Sequence, residues 1–262
     1  MLLVIDAGNT NVTLGLYRED SLIAEWRLLT DRSGTIEQYG TDIRRLFSDA
    51  ALKVEEVDGI SIASVVPSLN HTLKDIGEQL FQVKPLFVDH QTDTGLKIKY
   101  DSLSSLGVDR IVDAFAAVTK YGPPCVVVDF GTATTFNVVN AQHEFLGGAI
   151  APGLVISAEA LFSRTAQLPR VEIAKPAKAI GSSTAQSMQS GIYYGYAGLV
   201  DGILERMIGE LNDRPKVIAT GGLANLLAGS SRFIQTIDVT LTLEGLRLLY
   251  ARSKKRNDGA AG

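Results

Sequence analysis

The stretch Leu2-Leu3-Val4-Ile5-Asp6-Ala7-Gly8-Asn9-Thr10-Asn11 decides the fold. Four apolar residues run into an aspartate, a glycine and a set of small polar residues. Beyond them, Val12-Thr13-Leu14-Gly15-Leu16-Tyr17 resumes an extended pattern without helical apolar spacing, so the element reads as strand, tight turn, strand. Such a turn places a carboxylate, amides, hydroxyls and backbone N–H groups around one anion, as a metal-bound triphosphate requires. The pattern returns in Val126-Val127-Val128-Asp129-Phe130-Gly131-Thr132-Ala133-Thr134-Thr135-Phe136. Asp6 and Asp129 are separated by close to half of the 262 residues. Two Asp-x-Gly turns in similar strand contexts at that spacing point to a duplicated domain with a ligand between the halves.

The bulk composition narrows the function classes. A hydrophobic share of 45% with 21% charged residues supports a substantial core. A net charge of −4 argues against broad electrostatic binding to nucleic acid or an acidic membrane. It leaves room for a small anionic ligand held by N–H groups and a metal. The single cysteine, Cys125, begins a strongly apolar run and reads as a buried thiol, and it permits no intrachain disulfide. Asp6 interrupts the N-terminus too early for a signal peptide, and no apolar run is long enough to span a membrane, so a cytoplasmic protein is expected.

Along the chain, Ser21–Leu29 reads as a third strand and Thr35–Ala51 as an amphipathic helix. Ile60–Val66 reads as a strand, followed by a helix from Ser68 to Phe81 with Ser68 as its cap, and then by a strand at Pro85–Val88. Ser102–Tyr121 is expected to be helical throughout. The second half restarts at Pro123-Pro124 with strands at 125–129, 133–139 and 145–151 and a helix at 153–162. Residues 168–180 read as irregular, and 182–211 as a long helix whose glycines imply close helix packing. A strand at 216–220 and a helix at 241–255 close the fold. The expected class is α/β, with two duplicated mixed sheets flanked by helices. The expected domains are 1–121 and 122–256, with a disordered tail at 257–262.

Several groups could carry chemistry. Asp6 either satisfies its own turn or holds Mg²⁺ beside the β- and γ-phosphates. Gly8 admits a phosphate to the backbone, and Asn9, Thr10, Asn11 and Thr13 supply amides and hydroxyls. No lysine lies in the turn, so phosphate charge falls to N–H groups and metal. Asp129 and Thr132 occupy the matching second turn, while Thr134 and Thr135 also suit plain strand positions. Gly221-Gly222 either admits a nucleoside to the backbone or makes an ordinary turn. Gly107-Val108-Asp109-Arg110 lies near a helix start, where Asp109 gains dipole stabilisation or serves as a general base with Arg110 beside it for an anion. His71, His90 and His143 show no ligand spacing, and Gly-x-Ser-x-Gly is absent.

Asp6-Ala7-Gly8-Asn9-Thr10-Asn11, Gly107-Val108-Asp109-Arg110 and Asp129-Phe130-Gly131-Thr132-Ala133-Thr134-Thr135 resemble, in order, the three signature motifs of type III pantothenate kinases. The first and third are shared more loosely with actin, heat-shock chaperone ATPases and sugar kinases; the second narrows the resemblance. It implies two ribonuclease-H-like domains with ATP between them, and a homodimer with pantothenate near the dimer interface. It implies transfer of the ATP γ-phosphoryl group to the pantothenate hydroxyl, the first step of coenzyme A synthesis, with Asp109 as proton acceptor. Asp6, Ala7, Gly8, Asn9, Thr10, Asn11, Val12 and Thr13 would form the first phosphate loop, Thr132 would touch ATP, and Asp129 would bind K⁺ or NH₄⁺. Tyr100, Gly107, Val108, Asp109, Arg110 and Thr184 would line the pantothenate site. Ser183 stands where many relatives carry asparagine, and Asn137 where an acidic residue is common. A non-kinase relative, such as an ATP-driven switch or a Bvg accessory factor, and a sugar kinase are the competing expectations.

Overall fold

The computed structural model describes residues 1–165 and 168–260, with side chains of the last helix described as far as Arg256. Strands β1 (Leu2–Ala7), β2 (Asn11–Arg18) and β3 (Ser21–Leu29) form an antiparallel meander. Helix α1 (Ile36–Asp49), strand β4 (Gly59–Ser64), helix α2 (Asn70–Asp75) and strand β5 (Leu86–Phe87) follow. β4 returns parallel to β1, which gives the sheet order β3-β2-β1-β4-β5. The chain continues through β6 (Lys97–Ile98), α3 (Val108–Tyr121), β7 (Cys125–Phe130), β8 (Ala133–Val139) and β9 (Glu144–Pro152). Then come α4 (Leu154–Ser163), α5 (Thr184–Leu211), β10 (Lys216–Thr220), α6 (Ala224–Leu227), β11 (Thr236–Ile237) and α7 (Leu241–Ala260). The second sheet has the order β11-β10-β7-β8-β9-β6. Apart from the extra edge strand β6, it repeats the first sheet strand for strand, as the duplicated Asp-x-Gly pattern predicts.

Each sheet has its own core. Alternation along β1 turns Leu3, Ile5 and Ala7 into a cluster with Tyr39, Ile43 and Phe47 of α1 and Ile60 and Ile62 of β4. Trp26 stacks at 5.2 Å on Phe47, which lies 5.6 Å from Phe81. Along β7, Val126, Val128 and Phe130 meet Tyr193, Tyr196, Val200 and Leu204 of α5. The same parity places Asp6 and Asp129 on the opposite faces of their strands. α1 begins with a capping box in which Thr35 accepts from Gln38 N and the Gln38 side chain accepts from Thr35 N. Such a cap is worth roughly 0.5–2 kcal/mol.

The chain packs as two compact units. The first comprises Met1–Gly95, Ser102–Ala116 and Thr242–Gly262; the second comprises Leu96–Asp101 and Ala117–Leu241. Three segments therefore fall outside the sequence-based halves: Leu96–Asp101, residues 117–121 and the chain from Thr242. β6 pairs parallel with β9, so Leu96–Asp101 joins the second unit. α7 joins the first: Thr242 donates to Asp113 of α3 at 2.7 Å, and Arg247 pairs with Asp20 and with Glu244. These side-chain partners are distant in sequence, so periodicity does not reveal them.

Local departures also have causes. Ser68 does not cap a helix, because Pro67 opens a 3-10 turn at Pro67–Leu69 that runs directly into α2, with Leu69 at the cap position. Residues 76–80 then widen into a π turn. α3 starts at Val108 and not at Ser102, because a 3-10 turn at Leu103–Ser105 ends in an extended Leu106. α7 continues to Ala260, into the stretch expected to be a disordered tail, with no proline to stop it; residues 261–262 lie outside the described set. Gly191, Gly195 and Gly198 of α5 border open space within this chain, so the packing expected of them is not supplied by it. Among the described residues no helix is long and apolar enough to cross a membrane.

Candidate active site

The first Asp turn joins β1 to β2, with Asp6 opposite Thr13 and Ala7 opposite Val12. Gly8 N donates to Asn11 O at 2.9 Å and closes the turn. Asn9 and Thr10 are exposed at its tip, while Asp6, Gly8, Asn11 and Thr13 are half-buried. The segment after β3 lies along this turn. Thr30 N donates to Thr10 O at 2.9 Å, Thr30 Oγ1 to Gly8 O at 2.6 Å, and Arg32 Nη2 to Asn9 Oδ1 at 2.9 Å. Sequence reasoning missed Thr30 and Arg32, since only the β2–β3 hairpin brings them back to the turn. Arg32 thus adds a side-chain cation to the N–H groups and metal expected to meet phosphate charge at this turn.

The second Asp turn joins β7 to β8, with Asp129 opposite Thr135 and Phe130 opposite Thr134. Gly131 and Thr132 are exposed at its tip. Gly153 N donates to Thr132 O at 3.2 Å; a Cβ on Gly153 would collide with that oxygen and come 2.7 Å from Gly131 O. Gly221 has φ +87°, and a Cβ there would collide with Asp129 Oδ1 and come 2.7 Å from the Phe130 backbone. So Gly221 makes room for the Asp129 carboxylate. Thr134 is more than a strand former: its hydroxyl lies 2.5 Å from Tyr196 OH and donates to it, while Tyr196 OH donates to Pro152 O at 2.9 Å. β10 lies parallel to β7 and sets Thr220 beside Asp129.

The third motif opens α3. Asp109 lies in the helix's first turn, and its Oδ1 accepts from Arg110 N at 2.8 Å. Desolvation raises its pKa above the ordinary carboxylate value, against the opposing pull of the Arg110 N–H and guanidinium. Arg110 is buried. A cleft of about 770 Å³ beside this motif is walled by Gly107 and Val108 with Ser64, His71, Lys74 and His90, a volume typical of small-molecule sites.

The first unit thus carries the Asp6–Thr13 turn and Gly107–Arg110, and the second carries Asp129, Thr132, Tyr100 and Thr184. Tyr100 packs on Phe145 with ring centroids 6.3 Å apart. Thr184 is the exposed first residue of α5 and lines a groove of about 480 Å³ with Ser157, Met188 and Ile192.

A model of the type III pantothenate kinase family matches residues 2–206. A type III pantothenate kinase of Koribacter versatilis is 50% identical, covering 99% of this chain and all of that protein. The chain belongs to the type III pantothenate kinase family. Its relative of that name from Halalkalibacterium halodurans is 49% identical over 97% of this chain and all of that protein. A solved Campylobacter jejuni structure described as a Baf family transcriptional activator superposes with a TM-score of 0.61 at 20% identity, covering 97% of this chain and 99% of that one. The activator of 2-hydroxyisocaproyl-CoA dehydratase from Clostridium difficile gives 0.55 at 9% identity, covering 99% and 97%. These two likenesses show the fold.

The two departures from the type III pattern are locally accommodated. Ser183 is the N-cap of α5 and accepts from Gln186 N at 3.3 Å, a role serine fills as well as asparagine. Asn137 is fully buried and donates to Thr135 Oγ1 at 3.2 Å, so the amide meets a hydroxyl where a carboxylate would need a counter-charge.

Proposed function

We propose that this protein transfers the γ-phosphoryl group of ATP to the hydroxyl of pantothenate, giving 4'-phosphopantothenate and ADP, the first step of coenzyme A synthesis. The observation that carries the proposal is a desolvated carboxylate, Asp109, on a helix separate from two equivalent Asp-x-Gly hairpins, in a chain of this family. The hydroxyl oxygen of pantothenate bonds to the γ-phosphorus as its bond to the β,γ-bridging oxygen breaks. Asp109 takes the hydroxyl proton, and the electron pair leaves with ADP. Asp6 to Thr13 and Thr132 hold the nucleotide. Tyr100, Gly107 to Arg110 and Thr184 hold pantothenate.

Among the described residues no group of three or more His, Cys, Asp or Glu side chains forms a metal cage. Single carboxylates suit an ion that the nucleotide itself carries, with Asp6 serving Mg²⁺ and Asp129 serving K⁺ or NH₄⁺. When bound, these ions supply positive charge at the phosphates. A homodimer in the cytoplasm belongs to the same reading. Val155, Ile156 and Leu161 of α4 and Tyr194 and Leu199 of α5 are exposed apolar or aromatic side chains, and the α5 glycines border open space where a second copy would fit.

A coupled assay of ADP release tests the reaction. Release is expected to require both ATP and pantothenate and to rise on addition of K⁺ or NH₄⁺. Tight ATP binding with no pantothenate turnover under any of these ions would overturn the assignment.

The pH profile tests the base. Asp109 must be ionised to accept the proton, and its pKa is raised by burial. Activity is therefore expected to fall as pH drops through a value above the ordinary carboxylate range, and to recover fully above it. An acid limb of kcat/KM for pantothenate at an ordinary carboxylate pKa would contradict this role.

A further inference from the structure

The first turn is made without lysine; the first lysine in the chain is Lys53. A triphosphate held by N–H groups and one metal alone would keep much of its charge, yet the fold brings a cation to this turn. Arg32 donates from Nη2 to Asn9 Oδ1 at 2.9 Å, directly at the turn's exposed tip.

The segment that delivers Arg32 is firmly built. Thr30 makes two hydrogen bonds to the backbone of the turn, and Asp31 N donates to Tyr39 OH at 2.9 Å. Gly34 N donates to Asp31 O at 3.0 Å, just before the capping box of α1. Asp31, the carboxylate nearest in sequence, is occupied elsewhere: Ser33 donates to its Oδ1 from N at 2.9 Å and from Oγ at 2.7 Å. These bonds hold the Asp31 carboxyl below its ordinary pKa.

Arg32 forms no ion pair among the described residues. Arg18, Arg45, Arg232, Arg247 and Arg252 each meet a carboxylate. A guanidinium has five N–H donors, and the one bond to Asn9 leaves most of the fork available. A positioned, unneutralised fork beside a turn of backbone N–H groups matches phosphoryl oxygens in both charge and geometry.

We propose that Arg32 is a phosphate-binding residue of the nucleotide site, contacting the phosphoryl oxygens of ATP at the Asp6–Thr13 turn. The inference rests on the reading that this turn holds the nucleotide. Asn9 orients the guanidinium, and Arg32 supplies the charge that a lysine supplies in other phosphate loops.

Steady-state kinetics and calorimetric nucleotide titration of the whole protein test it, with R32Q and R32K. For R32Q, kcat/KM for ATP is expected to fall on the order of 10- to 100-fold, the value of one charge-assisted hydrogen bond, while KM for pantothenate stays near that of the parent. ATP and ADP affinities should drop with it, AMP affinity should change far less, and R32K should recover part of the loss. R32Q with unaltered kcat/KM for ATP would overturn the assignment. So would an equal loss for AMP and ATP, which would mean that Arg32 only shapes the turn through Asn9. If the parent protein itself neither binds ATP nor turns over pantothenate, the underlying reading fails, and this inference with it. If the parent is active and R32Q is unchanged, only the inference fails.

Discussion

Replacing Asp109 by asparagine is expected to lower kcat for pantothenate phosphorylation by about 10²- to 10⁴-fold, the usual worth of a positioned general base. The two side chains are nearly the same size, and an amide oxygen can still accept from Arg110 N, as Asp109 Oδ1 does at 2.8 Å. The first turn of α3 should therefore survive. The amide cannot take a proton. Burial already disfavours the charged form at this position, so the substitution removes a desolvated charge and should leave melting temperature unchanged or raised. ATP affinity, measured by titration, is expected to stay close to that of the parent. Retained kcat would sink the base assignment, and a loss of ATP binding equal to the loss of kcat would move Asp109 into the nucleotide site.

Gly221→Ala should be the most damaging small substitution. The residue holds φ +87°, which costs an alanine roughly 1–3 kcal/mol. Its methyl would also collide with Asp129 Oδ1 and lie 2.7 Å from the Phe130 backbone. Relief requires movement of β7 or expulsion of the carboxylate, with overpacking costs of about 1–3 kcal/mol. Together these consume a large part of a typical domain's stability of about 5–15 kcal/mol. A lowered urea midpoint together with loss of activation by K⁺ or NH₄⁺ is the expected result. Gly229→Ala provides the contrast: it has open space and an ordinary negative φ, so the midpoint should barely move. Equal effects at both positions would show that the geometry around Asp129 is not what makes Gly221 necessary.

Much of this architecture was legible because each Asp-x-Gly turn interrupts an apolar strand and is followed by another strand. The alternation that buries Ile5 and Ala7 also fixes the face of Asp6, and the same holds for Val128, Phe130 and Asp129. α1 was legible through its apolar spacing from Ile36 to Phe47. β6 and β11 were not, since two-residue strands carry no period. The supports of the site were hidden for another reason. Thr30, Gly153 and Tyr196 act through long-range hydrogen bonds to the turns, and no local pattern marks such partners. Arg32 was hidden in the same way: its significance depends on Asn9, which only the hairpin brings near.

The placement of α7 has a consequence for how the molecule is made. Chains fold as they emerge, and a domain can finish only when all of its segments are available. The second unit has its whole sequence once Leu241 has been synthesised. The first unit holds the earliest strands yet also needs Thr242 onward, where Thr242 reaches Asp113 and Arg247 reaches Asp20 and Glu244. The unit that holds the first-translated sheet is thus the one completed last, and until α7 arrives, the helix that carries Asp109 lacks its Thr242 partner.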